Sequence, residues 1–354
     1  MHEEPLNSDT ELRDELYEHH RFEVDKRQEP LRIDKYLLHR IEGISRNKLQ
    51  NAARAGSILV DGKPVKSNYK VRPGDVITIV LSVPPRDFWA EPENIPLDIV
   101  FEDESLLVVN KPPGLVVHPA VGNFTGTLVN ALLYHLKNNK NWEKRLPVPA
   151  ATAEIRPGLV HRLDKDTSGL MVIAKEEYAM MHLAKQFFTR TIKRNYSALV
   201  WGDFNTDSGT IRGHIGRNLR DRKKMAVFPE GEHGKEAVTH YKVLERLGYV
   251  TLVDVRLETG RTHQIRVHMA HIGHPLFNDA TYGGDRIVKG TVYSGYKQFV
   301  ENCFALFPRH ALHARTLGFV HPATGSEMFF ECPLPDDFQK LLEKWRSYFQ
   351  KTVK

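Results

Sequence analysis

Residues 161–170 read H-R-L-D-K-D-T-S-G-L and place one aspartate in a basic, turn-forming frame. Asp164 lies between Arg162 and Lys165, and neighbouring cations keep a carboxylate ionised at neutral pH. An ionised carboxylate held in a fixed position is a candidate nucleophile. An ordinary surface ion pair has the same short pattern, so these ten residues alone leave both interpretations open.

Further segments of the chain change that balance. They are N-K-P-P-G-L-V-V-H-P at 110–119, K-R-N-Y-S-A-L-V at 193–200, G-R-T-H-Q-I-R-V-H at 260–268, G-H-P at 273–275 and A-L-H-A at 311–314. Together with H-R-L-D-x-x-T-S-G, these segments resemble the RluA/RluC/RluD family of pseudouridine synthases. The resemblance covers about residues 98–340, nearly the whole second part of the chain.

The resemblance implies isomerisation of uridine in structured RNA to its C-glycoside, with three candidate catalytic residues. Asp164 is the expected nucleophile, Tyr196 lies against the flipped uracil, and Arg266 pairs with the catalytic carboxylate. A buried arginine in that place lowers the pKa of the carboxyl group and fixes its orientation. Judged from its local sequence alone, Tyr196 equally fits a core aromatic on a strand.

Three further residues of these motifs are expected to contact RNA. Arg162 is placed to enter the base stack once the target nucleotide has been flipped out. His161 is a second candidate contact, and Arg261 is expected either to contact RNA or to anchor its loop. One departure from the family pattern is Asn278, where the family commonly carries Gly. Asn tolerates a left-handed backbone better than most residues, so we expect the loop to survive.

The expected reaction breaks the N1–C1′ bond of uridine and joins C5 to C1′, so nothing is oxidised or reduced. We therefore expect no cofactor and no metal, and the sequence lacks a phosphate-binding G-x-x-x-x-G-K-[ST] loop. The cluster His263, His268, His271 and His274 has no carboxylate or cysteine at zinc-ligand spacing. These histidines are predicted to be structural or to face RNA.

The composition limits the classes of protein to which this chain can belong. A chain of 354 residues with 41% hydrophobic residues fits two or three domains with true cores. No run approaches the roughly 20 apolar residues that cross a bilayer, and the N-terminus lacks a secretory pattern. The two cysteines, Cys303 and Cys332, form no C-x-x-C pair and are expected to be reduced. We expect a cytoplasmic protein without membrane contact.

The net charge is distributed unevenly along the chain, and it differs between the predicted domains. Residues 1–29 carry −6 with little apolar periodicity, which predicts an acidic mobile extension. Residues 30–82 resemble an S4 RNA-binding domain. Residues 83–97 are a Pro-rich linker, and residues 98–354 form the expected catalytic domain.

The S4-like segment is predicted from its helix and turn signals. An apolar stripe from Leu31 to Ile41 ends at Gly43, and Ser45 is the expected cap of a second helix that stops at Gly56. Short strands joined by Asp61-Gly62 follow. The second helix carries Arg46, Lys48 and Arg54 with no acidic residue until Asp61, which favours phosphate binding over a solvated helix face.

The expected fold class is α+β: a pseudouridine synthase fold with a mixed, largely antiparallel sheet, plus a small N-terminal α/β S4-like domain. This layout is closest to the RluD type. We therefore expect a monomer acting on large-subunit (23S) ribosomal RNA or a ribosome precursor. The alternatives are a synthase acting on tRNA, a noncatalytic RNA-binding factor in ribosome assembly, and a hydrolase with an aspartate nucleophile. The hydrolase normally needs a second carboxylate as acid, where this motif offers Arg and Lys.

Overall fold

The computed structural model describes residues 17–38, 40–41, 44, 46–81, 91–119, 125–137, 158–221, 223–290 and 293–352. These residues form two compact units: the first unit contains those up to 81 and the second unit those from 91 onward. No helix within these ranges is long and apolar enough to cross a membrane. The predicted linker lies outside the described residues as far as residue 90.

The first unit has two helices and a four-stranded antiparallel sheet, in the order predicted from residue 31 onward. Its core contains the fully buried Ile33, Tyr36, Leu37 and Leu49. Gly43 and Ser45, the predicted helix stop and cap, lie outside the described residues. The elements are β1 (Tyr17–Glu23), α1 (Ile33–Leu38), α2 (Arg46–Arg54), β2 (Ile58–Val60), β3 (Lys63–Pro64) and β4 (Val76–Leu81), with sheet order β1-β4-β2-β3.

The prediction of a mobile extension over residues 1–29 is wrong for its second half. Strand β1 pairs antiparallel with β4, with Glu23 opposite Val76, and Val24 is buried in the core of the first unit. The pairing satisfies backbone groups that would otherwise leave β4 as an open sheet edge. An acidic composition does not report backbone pairing, which is why the strand was missed. Residues 1–16 lie outside the described part.

The second unit is built on one mixed sheet of ten strands. Its strand order is β10-β9-β11-β12-β8-β13-β7-β6-β5, with β14 beside β13. All neighbouring strands are antiparallel except β7 and β13, which are parallel. The strands are β5 (Ile99–Glu102), β6 (Leu106–Lys111), β7 (Ser168–Ala174), β8 (Lys193–Trp201), β9 (Ser208–Arg217), β10 (Met225–Phe228), β11 (Lys235–Arg246), β12 (Val250–Leu257), β13 (Leu312–Val320) and β14 (Glu327–Glu331).

Within the described residues, five helices pack against this sheet, and the sequence predicts four of them, near residues 127–138, 176–190, 263–273 and 336–350. They are α3 (Leu128–Lys137), α4 (Glu177–Phe188), α5 (Gln264–His271), α6 (Ser294–Leu306) and α7 (Asp336–Thr352). Helix α6 was missed, although Tyr296, Val300 and Cys303 are spaced at helical intervals and are fully buried beside α7. The expected α+β class with a mixed, largely antiparallel sheet is confirmed.

The central strands β7 and β8 position the candidate site. Every residue of β7 is buried, and β8 is buried from Tyr196 to Trp201, so both strands are covered on both faces. Asp164 lies in the loop that leads into β7, and Tyr196 lies on β8 with only β13 between the two strands. Strands this deeply packed give the site a rigid base.

Candidate active site

A cleft of about 350 Å³ in the second unit brings together the three predicted catalytic residues, Asp164, Tyr196 and Arg266. Its lining also includes His161 and His263. Among the described residues that line it, one is a carboxylate and four are arginines: Arg162, Arg194, Arg261 and Arg266. A cleft with this balance of charge attracts an anionic ligand.

A fully buried lysine fixes the main chain next to Asp164. Lys111, at the end of β6, donates to the carbonyl oxygens of Pro112 (2.8 Å), Leu115 (3.0 Å) and Lys165 (2.9 Å). Burial lowers the pKa of Lys111 to about 7, although the nearby carboxylates of Asp166 and Asp164 oppose that shift. Three acceptors use all three N–H donors, so this geometry fits the charged ammonium.

The other side of the loop is tied to β13 and the residues before it. Thr167 donates its backbone N–H to the Asp164 carbonyl (3.1 Å), and its hydroxyl bonds to His310 Nε2 (2.8 Å). Ser168 bonds to His313 Nδ1 (2.9 Å). Gly169 has a φ of 114°, and a Cβ there would overlap the carbonyl oxygen of Ala314. The T-S-G part of the motif therefore anchors the loop and allows close strand packing.

Arg266 on α5 is held by two aspartates. Its Nε and Nη2 donate to Asp279 Oδ2 (2.7 Å) and Oδ1 (2.8 Å), and Nη1 donates to Asp164 Oδ2 (3.0 Å). Nη2 also donates to Thr281 Oγ1 (2.9 Å). Asp279 is fully buried and accepts the backbone N–H of Thr281 (3.0 Å). The paired bonds to Asp279 set the plane of the guanidinium, so Nη1 points at Asp164.

The environment keeps Asp164 ionised. Burial alone would raise its pKa, but the charge of His263 when that ring is protonated, together with the charge and hydrogen bond of Arg266, outweighs burial and holds the pKa below its usual range. Burial lowers the pKa of His263, although Asp164 opposes that shift, so the ring is neutral near pH 7. Arg266 is therefore the permanent cation beside the carboxylate.

The two oxygens of Asp164 are not equivalent. Oδ2 accepts the bond from Arg266, whereas Oδ1 is 3.9 Å from His263 Nε2, which exceeds a hydrogen-bond distance. The carboxylate side chain is 18% exposed and lines the cleft. Oδ1 accepts no hydrogen bond from the residues that the structure describes, so it is the oxygen left for a ligand.

Tyr196 belongs both to the core and to the cleft. It lies between Val255 of β12 and Ala314 of β13, is 6% exposed, and still lines the cleft. Burial raises the pKa of its phenol, and Arg194 opposes the shift only partly. The phenol stays protonated at neutral pH, so it is suited to donate a proton or a hydrogen bond and not to act as a base.

His263 begins α5 in a left-handed backbone conformation, with φ 55° and ψ 23°. Its Nδ1 bonds to the Tyr282 hydroxyl (2.9 Å), and that oxygen accepts the Met225 N–H (3.1 Å). Non-glycine residues adopt this conformation mainly where surrounding contacts hold them, often near functional sites. The bond to Tyr282 therefore holds the His263 ring with its Nε2 3.9 Å from Asp164 Oδ1.

Two other histidines of the predicted cluster, His268 and His274, have separate partners. His268 Nδ1 bonds to Thr239 Oγ1 (2.8 Å), and His274 Nδ1 donates to the Trp201 carbonyl (2.8 Å). Within the described residues, no group of three or more histidine, cysteine or acidic side chains is arranged to hold a metal ion. These two histidines serve the packing around α5.

The three residues of the second unit that are predicted to contact RNA differ in exposure and in their hydrogen-bond partners. Arg162 is exposed and lines the cleft. Arg261 lines it too, but its Nε donates to the Glu236 carbonyl (3.0 Å), which anchors the loop. His161 Nε2 accepts the Val172 N–H (3.0 Å), and burial lowers its pKa to about 3, so the neutral ring is part of the wall. Any contact of His161 or Arg261 with RNA stays a prediction.

In the first unit, the expectation that Arg46 has no acidic partner is wrong. Its Nε lies 3.0 Å from Asp34 Oδ2, twelve residues earlier on α1. Asp34 also accepts bonds from Arg32 and Gln50. The Arg54 guanidinium bonds to Asn51 and is exposed, and the side chain of Lys48 lies outside the described part. Sequence reasoning missed the pair because its partners lie on different helices.

Several site residues were missed or undervalued. Asn278 has a φ of 57°, which confirms the predicted left-handed position, and its amide donates to the Phe307 carbonyl (2.6 Å). The motif resemblance by itself only places Asp279 near the site, and the roles of Lys111 and Thr281 were not foreseen. The single available signal for Lys111 was its place at the end of β6, where it begins the K-P-P-G string.

Comparison with known proteins agrees with this geometry. Residues 105–271 match the model of the RNA pseudouridylate synthase family, and residues 31–77 match that of the S4 domain. An "Uncharacterized RNA pseudouridine synthase" of Chlorobaculum parvum is 49% identical over 92% of this chain and 97% of its own. The "Ribosomal large subunit pseudouridine synthase D" of Pseudomonas aeruginosa is 44% identical over 89% of this chain and 92% of its own.

A solved structure is similar as well. "Human RNA Pseudouridylate Synthase Domain Containing 4" superposes with a TM-score of 0.52 at 27% identity, over 70% of this chain and 92% of that one. The similarity in sequence thus extends to the arrangement of the sheet and helices.

Proposed function

This chain belongs to the RNA pseudouridylate synthase family, and from that premise we propose that it isomerises uridine in large-subunit ribosomal RNA. Relatives such as the Pseudomonas aeruginosa protein carry that substrate in their name. The S4 match over residues 31–77 supports a structured RNA substrate. We further propose that the protein acts as a monomer in the cytoplasm, on ribosomal RNA or on a ribosome precursor.

One observation carries the proposal: a carboxylate with one oxygen bound and the other open. Arg266 holds Oδ2 of Asp164, and Oδ1 is open to a cleft that four arginines make attractive to RNA. A fixed, ionised carboxylate can attack and leave again, which divides one difficult step into two easier ones. Arg266 acts through Asp164 and is thus a positioning residue.

The proposed reaction balances without any external reagent. Oδ1 of Asp164 attacks either C1′ of the ribose or the uracil ring, and the N1–C1′ bond breaks. The uracil turns, C5 bonds to C1′, the C5 proton leaves, and N1 takes up a proton. Asp164 is released unchanged, so the product is an isomer of the substrate.

The remaining cleft residues handle the nucleotide. A base must leave its stack before it reaches Asp164, at a cost of a few kcal/mol. Arg162, exposed at the cleft, is suited to fill the vacated place. The Tyr196 ring is suited to stack on the uracil, and its protonated phenol to donate to it. These assignments account for the mixture of cationic and aromatic side chains in the lining.

The decisive experiment maps pseudouridine in ribosomal and transfer RNA from cells with and without the gene. We expect one or a few large-subunit uridines to lose the modification and to regain it with the wild-type gene but not with Asp164→Asn. Loss confined to tRNA would overturn the proposed substrate. Unchanged RNA in both classes, with no release of tritium from C5-labelled uridine by the purified protein, would overturn the activity.

A further inference from the structure

The last residue of α4 is an aromatic side chain that the proposed mechanism does not use. Phe188 is 86% exposed, more than any other large apolar side chain in the described residues, and it lines the same cleft as Asp164. Single exposed apolar residues are common on protein surfaces, so exposure alone indicates nothing. The contacts that fix its backbone and the side chains beside it indicate a role for Phe188.

The backbone that carries Phe188 is fixed. Gln186, two residues earlier, donates its amide to the Val320 carbonyl (2.7 Å) and accepts the Val320 N–H (2.9 Å), which ties the end of α4 to β13. The adjacent ring of Phe187 stacks on His161 at 4.7 Å and lies 5.5 Å from the Arg194 guanidinium. Phe187 is thus part of the wall, whereas Phe188 projects from a rigid end with only two side-chain torsions to restrict on binding.

The surroundings of Phe188 match one class of ligand. Arg162 and Arg194 line the cleft with it, and cations beside an exposed aromatic ring are the combination that binds single-stranded nucleic acid. The arginines attract phosphates, and the ring offers a face on which a base can stack. A phenyl ring has no hydrogen-bonding group, so it accepts any base and selects for one that is unpaired.

We propose that Phe188 stacks on an unpaired base next to the target uridine while that uridine occupies the cleft. The proposal rests on the proposed function, because it assigns Phe188 to the same RNA. It makes Phe188 a specificity-determining residue: the enzyme favours uridines whose neighbour is already unpaired, in loops and bulges, over those within continuous helices.

The test compares Phe188→Ala and Phe188→Trp with Phe329→Ala. Phe329 is a matched control, since it is 63% exposed on β14 and does not line this cleft. Under single-turnover conditions with a C5-tritiated large-subunit RNA transcript, we expect Phe188→Ala to raise the half-saturating concentration roughly 5- to 150-fold. Phe188→Trp and Phe329→Ala should stay within about threefold of wild type, since tryptophan retains a stacking face and Phe329 lies elsewhere. Unchanged thermal unfolding of all three variants would show that folding is intact.

A second arm identifies the base. A hairpin around the mapped uridine is prepared with a single abasic nucleotide at each flanking position in turn. At one position, the abasic change should weaken wild type as much as Phe188→Ala does, and the two changes together should cost no more than either alone.

The outcomes separate the two claims. An active wild type with Phe188→Ala within twofold of it, or with strictly additive losses at every position, overturns the stacking role and leaves the proposed function intact. A wild type that releases no tritium from any RNA overturns the proposed function, and the stacking proposal with it.

Discussion

Each unit of this protein contains an aspartate bound by arginine, and the two carboxylates have opposite surroundings. Asp34 in the first unit is 1% exposed and accepts bonds from Arg32, Arg46 and Gln50. Asp164 in the second unit is 18% exposed and has one oxygen bound by Arg266. The pKa of both carboxyls is below its usual range, although burial acts to raise it. A low pKa therefore does not distinguish a structural carboxylate from a reactive one; the unbound oxygen does.

The two ion pairs also differ in which partner is buried, the carboxylate or the arginine. In the first unit the carboxylate is buried, and the side chains of Arg32 and Arg46 are 39% and 45% exposed. In the second unit Arg266 is 7% exposed and its carboxylate partner reaches the cleft. In each pair the buried member anchors the exposed one. Asp34 thus holds two arginines that remain partly exposed to solvent, and Arg266 holds a carboxylate that lines the cleft.

The largest effect expected from this contrast is that of Asp164→Asn. The amide keeps the shape of the side chain but is not a nucleophile, so turnover should fall at least about a thousandfold, with RNA affinity and thermal stability nearly unchanged. Tritium release, RNA binding and thermal unfolding measure the three quantities. Turnover within tenfold of wild type would remove Asp164 from the chemistry.

The second prediction is the opposite phenotype: Asp34→Asn should lower the stability of the first unit and leave catalytic turnover unchanged. Removing one partner of a buried ion pair costs about 3 to 5 kcal/mol, and we expect about 2 to 3 here because both arginines remain partly hydrated. Hydrogen exchange over β2 to β4 should report this loss, while the rate at saturating RNA stays close to wild type. Asp164→Asn is the matched control, and it should leave exchange in these strands unchanged.

The pH dependence of that loss has a definite sign. The pKa of Asp34 is lower in the folded state than the unfolded value of about 3.9, so its stabilisation is present above that value and disappears as the pH falls through the folded pKa. The difference in stability between wild type and Asp34→Asn should be largest at pH 6 to 7 and shrink below about pH 4. A difference that grows on acidification would contradict the ion-pair network.

The third prediction tests the anchoring of Asp164. Arg266→Lys keeps the charge but loses the paired bonds to Asp279, so we expect turnover to fall about a hundredfold with affinity within about threefold. Asp164 would also lose the donor that favours its charged form, so the acid limb of the pH-rate profile should move to higher pH. If affinity alone fell and the profile stayed in place, Arg266 would be a phosphate contact.

Tyr196 should have a smaller effect, because two of its properties can be separated. Tyr196→Phe retains the ring, so affinity should be unchanged while the rate falls about tenfold through loss of the hydroxyl. Tyr196→Ala should lose both stacking and rate, with stacking worth about 1 to 3 kcal/mol. Equal rates for wild type and Tyr196→Phe would leave the phenol without a part in proton transfer.

The smallest effect concerns the basic residues of α2. Neutralising Lys48 and Arg54 together should reduce the slope of log affinity against log salt by roughly 1.4 to 1.8, in proportion to two phosphate contacts. Arg46 is left unchanged, since its removal would also disturb Asp34. A slope equal to that of wild type would mean that Lys48 and Arg54 do not contact phosphates of the substrate RNA.

The sequence by itself determined what depends on near neighbours. The two helices and the hairpin of the first unit, the turn around Asp164 and the left-handed Asn278 all follow from spacing and from side-chain preferences within a few residues. The resemblance of the motifs added the pairing of Arg266 with Asp164. The expected fold class followed from the same local patterns combined with that resemblance.

Tertiary structure alone decided which side chains are held by other residues and which remain accessible to a ligand. Strand β1 pairs with β4 through backbone atoms, which carry no side-chain signature in the sequence. Lys111 meets the Lys165 carbonyl across 54 residues, and Arg46 meets Asp34 from another helix. Contacts of this kind depend on how elements pack, and burial then sets which oxygen of a carboxylate or which face of a ring reaches solvent. The open oxygen of Asp164 and the projecting ring of Phe188 are properties of the folded chain, because no local pattern specifies what surrounds them.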